Sequence, residues 1–261
     1  MAGRSEFMPP QERARRARSF ASVAGEYDRG RPGYPAAAVS WVLPDAPVDV
    51  LDVGAGTGKL TAALVRAGHR VVAVEPLAEM RGVLQSQLPA VRVLDGAAER
   101  LPLARGSVDA VVAGAAFHWF DQEAALTEAL RVLRSPGVLA LFGNSFDTTV
   151  PWLAELRGIL GPATLGRPGH WPEPERLHAD FEDVQEREFA HTQNRTLAQL
   201  RDYASSRSGF AVIPEAEREQ RLREIDALWA RTPELGGAAT AAIRWVTRVR
   251  RCTGVRGLRP R

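Results

Sequence analysis

A doubly wound α/β fold, with a mostly parallel sheet covered by helices on both faces, is predicted by three features of this sequence. Short apolar runs of strand length recur through the first 145 residues, separated by stretches with helical spacing. These runs do not alternate with polar residues, which marks strands buried on both sides. The first of them also ends in a glycine-rich turn that leads straight into a helical stretch, the place where such sheets bind ligands.

The elements follow in order. Residues 9–18 are polar and Arg-rich, and ordered structure is expected to begin near Phe20. Turn signals then cluster through Tyr27, Gly30, Pro32, Gly33 and Pro35, and a short helix is expected over 36–43. A strand over 48–53 runs into Gly54, Gly56 and Gly58, and a helix over 59–67 follows. The alternation continues with a strand at 70–74, a helix at 77–87, strands at 91–94 and 108–113, and a helix at 122–133. Ser135-Pro136-Gly137 ends that helix, and 138–142 forms a further apolar strand. Beyond Asn144 the spacing loosens: a helix at 152–160, a Gly/Pro-rich stretch through Pro174, a strand at 184–190, helices at 197–207 and 214–231, and a last strand at 243–249. Leu222, Ile225 and Leu228 or Trp229 recur at helical spacing and mark a face turned to the core.

Composition bounds the answer. The chain has 261 residues, 45% hydrophobic and 25% charged, enough for one substantial core. The expected organisation is a flexible basic segment at 1–18, one domain at 19–250 and a basic tail at 251–261. Within the domain, 19–35 would be a lid, 36–145 the cofactor half and 146–250 the part that caps the site and completes the sheet. The leader before Met8 has no expected role in the fold. The single cysteine, Cys252, allows no intrachain disulfide, Cys-rich zinc site or C-x-x-C pair, so a reducing compartment and no metal are expected. With no apolar span long enough for a membrane and no secretory block, the expected location is cytoplasmic. Net charge is +3, unevenly spread. Lys59 is the sole lysine, the last 18 residues carry seven arginines, and residues 19–243 hold 22 bases against 29 acids. A nucleic-acid binder normally carries its positive stripe on the folded body, which here is acidic, so such a partner is not expected.

The strongest motif is Asp52-Val53-Gly54-Ala55-Gly56-Thr57-Gly58. Its G-x-G-x-G spacing differs from the G-x-G-x-x-G that seats a dinucleotide pyrophosphate, and it lacks the P-loop lysine. An acid beside the loop repels phosphate and attracts a cation, so the expected ligand carries an ammonium or sulfonium group, a description that fits S-adenosylmethionine. Glu75 ends the second strand, where a carboxylate can accept both hydroxyl protons of a ribose. Asp95-Gly96-Ala97-Ala98-Glu99 forms a turn placed to edge an adenine. Gly114-Ala115-Ala116-Phe117-His118-Trp119-Phe120 follows the fourth strand, with small residues making room and aromatics making walls.

These residues resemble the class I S-adenosylmethionine-dependent methyltransferases, in particular the small-molecule group that includes trans-aconitate-methyltransferase-like proteins. The resemblance rests on YDRGRPGYP at 27–35, LDVGAGTGKL at 51–60, VAVEP at 72–76, LPL at 101–103, VDAVVAGAAFHWFD at 108–121 and RVLRSPGVLAL at 131–141. It implies a Rossmann-like, seven-stranded, mostly parallel sheet with helical lid elements from both ends of the chain. It also implies cofactor contacts from Tyr27, Arg31, Asp52, Gly54, Ala55, Gly56, Gly58, Glu75, Pro76, Ala97, Ala98 and Gly114. The family often has an acid where Ala97 stands, so that adenine contact is lost or supplied by Asp95. The acceptor would meet Phe117, His118 and Trp119, with His118 the candidate base for a hydroxyl or amine; a carboxylate acceptor needs none. Arg31 could clamp the cofactor carboxylate or an acidic substrate. A methyltransferase acting on RNA or protein, and a domain that binds the cofactor without turnover, are the rival readings. The [DNS]-P-P-[YFW] motif of amino-methylating DNA enzymes is missing after the fourth strand.

Overall fold

The computed structural model describes residues 24–161, 171–211 and 213–255. The expected flexible segment at 1–18, the onset of order near Phe20 and the end of the tail lie outside the described residues. In chain order the elements are α1 (Ala24–Gly30), α2 (Ala36–Val42), β1 (Asp49–Val53), α3 (Lys59–Arg66), β2 (Arg70–Val74), α4 (Ala78–Gln87), β3 (Arg92–Leu94) and β4 (Val108–Gly114). After a single 3-10 turn at Phe117–Trp119 come α5 (Gln122–Val132), β5 (Leu133–Phe146), α6 (Pro151–Ile159), α7 (Pro174–His178), β6 (Phe181–Arg195), α8 (Leu197–Ser205), α9 (Ser208–Ala211), α10 (Glu215–Arg231) and β7 (Ala241–Val255).

One seven-stranded sheet runs in the order β3-β2-β1-β4-β5-β7-β6. The first five strands are parallel, and β7 pairs antiparallel with both β5 and β6. From β1 the chain winds outward through β2 and β3, then returns to lay β4 and β5 on the other side. The crevice between the carboxyl ends of β1 and β4 is therefore the switch point.

Alternate strand residues feed two cores. Leu51, Val53, Val111, Ala113, Leu139 and Leu141 pack with Leu126, Ala129 and Leu130 of α5 on one face. Val50, Val112, Ala140 and Phe142 meet Ala38 and Val39 of α2 and Leu60 and Leu64 of α3 on the other. A third cluster, built from Phe146, Leu156, Tyr203, Ile225, Leu228 and Trp245, forms a helical cap beyond the end of β5. Ile225, Leu228 and Trp229 are buried and Leu222 packs against them, as the spacing of α10 requires.

Three expectations change. The 27–30 turn signals lie inside α1, whose Gly30 is pressed against the backbone of Tyr203; a Cβ there would collide with that backbone. Gly30→Ala is accordingly expected to cost on the order of 1–3 kcal/mol in urea denaturation. The turn at Ser135-Pro136-Gly137 lies within β5: Val108 pairs with Leu133 but Ala110 pairs with Val138, so the extra residues loop out, and Arg134 there bonds Asp49, Asp109 and the Ser107 carbonyl. Finally, residues 251–255, expected in the basic tail, belong to β7. Cys252 is fully buried, and burial pushes its thiol up to about 12. Three arginines of this strand are matched by acids, Arg244 by Asp147, Arg248 by Glu186 and Glu188, and Arg250 by Glu186, whereas Arg251 donates to the Gln185 side chain and the Trp41 carbonyl. No described helix is long and apolar enough to cross a membrane.

Candidate cofactor and acceptor site

A cleft opens over the switch point, the place where doubly wound sheets bind ligands. Asp52, Gly54, Ala55 and Thr57 line it from the β1 side, Gly114 and Ala115 from β4, and Asn144 from β5; Tyr27, Arg31 and Tyr203 line it from α1, the segment after it and α8.

The glycine loop is built from within. Gly54 holds φ +66°, and a side chain there would meet the Ala116 Cβ at 2.8 Å and the Phe120 ring at 2.9 Å; only glycine fits both demands. The N–H groups of Gly54 and Ala55 both donate to the Val74 carbonyl, that of Gly56 to Glu75, and that of Gly58 to the Ala55 carbonyl. These amides are engaged inside the protein, so the loop turns no ring of free donors toward a phosphate.

What it does present is a carboxylate. Asp52 is buried; its Oδ2 accepts the Thr61 hydroxyl at 2.6 Å, and its Oδ1 has no hydrogen-bond partner. Burial, with Glu75 adding repulsion, pushes the Asp52 carboxyl up to about 7. An unfilled carboxylate oxygen on a cleft wall is a demand for a donor, most strongly a cationic one. This acceptor set fits the ammonium end of S-adenosylmethionine.

Glu75 lies one strand over and is 5% exposed. Its Oε2 accepts from Gly56 N at 2.9 Å and its Oε1 from Leu77 N at 3.0 Å. Burial holds its carboxyl above the usual range. A carboxylate has about four acceptor positions, so one remains on each oxygen. Glu75 is not among the cleft-lining side chains. Pro76 and Ala97 are exposed beside it, and Ala98 is buried in the core. Asp95, the other candidate at the adenine turn, bonds Arg81.

Over the loop lies α1. The Tyr27 ring faces Gly56, whose Cβ position is 3.8 Å from Cε1. The Arg31 guanidinium lies 4.8 Å from the Tyr27 ring and 5.3 Å from that of Tyr203, and donates to the Ser206 hydroxyl and carbonyl. Asp28 ion-pairs with Lys59 at 2.8 Å and accepts from Gln87, which ties α1 to both helices flanking β2.

Of the residues predicted from sequence, the structure brings Tyr27, Arg31, Asp52, Gly54, Ala55 and Gly114 to the cleft wall. Gly56, Gly58, Glu75, Pro76, Ala97 and Ala98 shape the loop and the neighbouring strand ends. Phe117 is a core side chain at 3% exposure. His118 and Trp119 stand in the turn after Ala115 with their rings 4.7 Å apart, and neither lines the cleft. Sequence reading missed Thr61, Tyr34, Asn144 and Tyr203. Tyr34 and Asn144 had a signal available: one lies in the YDRGRPGYP motif, the other at the carboxyl end of a sheet strand. Tyr203 and Thr61 had none beyond helical position.

A switch-point cleft with a cation-seeking acid, on a sheet whose seventh strand inserts antiparallel, defines a class I methyltransferase. The comparisons agree. The methyltransferase-domain family matches residues 51–141. An uncharacterized methyltransferase of Mycobacterium tuberculosis is 42% identical over 231 residues, covering 88% of this chain and 93% of its own. A methyltransferase-like protein of Schizosaccharomyces pombe is 32% identical over 228 residues, covering 84% and 88%. Among solved structures, a candidate type II methyltransferase from Anaeromyxobacter dehalogenans superposes with a TM-score of 0.61 at 27% identity, covering 86% of this chain and 97% of that one. Haemonchus contortus phosphoethanolamine N-methyltransferase 2, solved with phosphomonomethylethanolamine and S-adenosylhomocysteine, shares the fold at 13% identity, with a TM-score of 0.54 over 97% of this chain and 62% of that one. This chain belongs to the class I methyltransferase family, whose methyl donor is S-adenosylmethionine.

Proposed function

We infer that this protein methylates a small-molecule acceptor at oxygen, on a hydroxyl or a carboxylate, using S-adenosylmethionine. The observation that carries this reading is the buried, unpartnered Asp52 Oδ1 on the cleft wall. When bound, the sulfonium supplies a methyl carbon already activated for in-line displacement, so the protein's task is alignment and exclusion of water. Asp52 holds the ammonium, and the open acceptor positions of Glu75 take the ribose hydroxyls. The shelf of Pro76, Ala97 and Ala98 edges the adenine. Gly54, Ala55, Gly56, Gly58 and Gly114 keep the floor low enough for close approach. Tyr27 covers the cofactor as a lid residue, and Arg31 offers its guanidinium to a carboxylate. Phe117 supports the turn that carries His118 and Trp119 toward the acceptor, where His118 takes a hydroxyl proton.

A small acceptor is favoured because α1 and α8 roof the cleft, and because the pairing of Arg244, Arg248 and Arg250 with acids offsets most of the positive charge of β7. Calorimetry with S-adenosylmethionine, followed by transfer of labelled methyl into a metabolite extract or into total RNA and protein, tests the reading. Absence of binding refutes it; binding without transfer marks a regulatory domain; label in macromolecules overturns the acceptor class. With a hydroxyl acceptor, His118→Ala is expected to lower kcat on the order of 10²-fold and leave cofactor affinity unchanged. An unchanged kcat shows that His118 is not the base.

A further inference from the structure

A hydrogen-bond chain crosses three neighbouring strands into the cleft. The His191 Nε2 on β6 lies 3.0 Å from the Thr247 Oγ1 on β7, which lies 2.5 Å from the Asn144 Oδ1 on β5. The Asn144 Nδ2 donates to the Gly33 carbonyl at 3.1 Å. Register places Thr247 directly opposite Asn144 and fully buried between its two partners.

The far end fixes the direction of the whole chain. A peptide carbonyl only accepts, so the amide nitrogen of Asn144 must face Gly33 and its oxygen must face Thr247. The Thr247 hydroxyl spends its proton on that oxygen, so His191 must donate from Nε2. Burial lowers the pKa of His191, which favours the neutral ring. Of the two Asn144 amide hydrogens, one is used on Gly33. The other is left for the cleft that Asn144 lines. Asn144 stands two strands from Asp52 in the order β1-β4-β5, about 10 Å in the direction across the strands, and four residues further along than Ala140, which is level with Asp52 through Val112.

We propose that Asn144 is an acceptor-binding residue whose Nδ2 donates to an oxygen of the methyl acceptor, and that Thr247 and His191 are positioning residues that keep its carboxamide from turning over. The acceptor class is thus one with a hydrogen-bond-accepting oxygen beside the methylated position. This rests on the methyl-transfer reading above.

The test uses the full chain, labelled S-adenosylmethionine and a serially diluted small-molecule cell extract as acceptor source. Thr247→Val is expected to raise the half-saturating extract concentration about tenfold, the loss of one hydrogen bond, and Thr247→Ser to restore it. Cofactor affinity by calorimetry should stay unchanged in both and in Asn144→Ala. Nitrogen NMR of the His191 ring should show the Nε2–H tautomer. Unchanged saturation in Thr247→Val and Asn144→Ala overturns the proposal, as does a ring protonated on Nδ1 alone. A tenfold loss of cofactor affinity in Asn144→Ala also overturns it, by placing the residue on the donor's side. A wild-type protein that binds no S-adenosylmethionine instead refutes the methyl-transfer reading.

Discussion

Asp52→Asn is expected to weaken S-adenosylmethionine binding at least about 30-fold, the usual cost of truncating one partner of a buried charge pair, while making the unliganded protein more stable at neutral pH. Both effects have one cause. The Asp52 carboxyl is buried with one oxygen unfilled and titrates near 7, against an ordinary value of 3.8. A folded-state pKa above the unfolded value means that the native protein holds a proton the unfolded chain has lost. The contribution of this group is therefore full below about pH 4 and falls as pH rises toward 7, by an amount on the order of 4 kcal/mol for this shift. Asparagine removes that penalty and still accepts from Thr61. For the wild type, cofactor affinity should rise about tenfold per pH unit from 5 to 7, because binding an ammonium requires the ionised carboxylate. Calorimetry and thermal unfolding across that range check both. An Asp52→Asn protein that binds as tightly as wild type refutes the ammonium assignment.

Glu75→Gln is the second large effect. Each Glu75 oxygen accepts a backbone N–H, one from Gly56 in the glycine loop and one from Leu77 at the start of α4. Glutamine has a single acceptor oxygen, so one buried N–H must face an NH₂ group. Leaving such a donor unsatisfied costs about 1–3 kcal/mol. The variant is expected to lose that much in denaturant unfolding and to bind the cofactor at least tenfold more weakly, since the loop geometry and the ribose acceptors go together. Adenosine alone, as a competing ligand, should lose affinity in proportion. If adenosine binding is untouched, Glu75 is a loop brace and not a ribose ligand.

The strands of the first half were legible because each is a local pattern. The strand predicted at 70–74 is β2 to the residue, and that at 108–113 falls one residue short of β4. A buried parallel strand must be apolar on both faces whatever its neighbours are. The glycine loop was legible for the same reason, since positive φ and close approach act within a few residues. What failed was long-range. Tyr27 and Gly30 read as turn residues, yet they form a helix because α8 offers its backbone for Gly30 to rest on. Residues 251–255 read as the start of a basic tail, yet they extend β7 because they pair with β5 and β6, with Cys252 opposite Leu139 and Val184. Phe117 read as a pocket wall, yet it fills the core, since one turn of 3-10 helix sends its ring inward.

The sequence by itself determined the sheet's parallel half, the switch point and the acid beside the glycine loop, all properties of residues close together in the chain. Only the tertiary structure decided how that acid is held by Thr61, how Arg31 is clamped by Ser206, and how His191, Thr247 and Asn144 line up into one directed chain. Those partners are 9 to 175 residues apart. Their meeting depends on strand register and helix docking, which burial across the whole sheet sets and no local window contains.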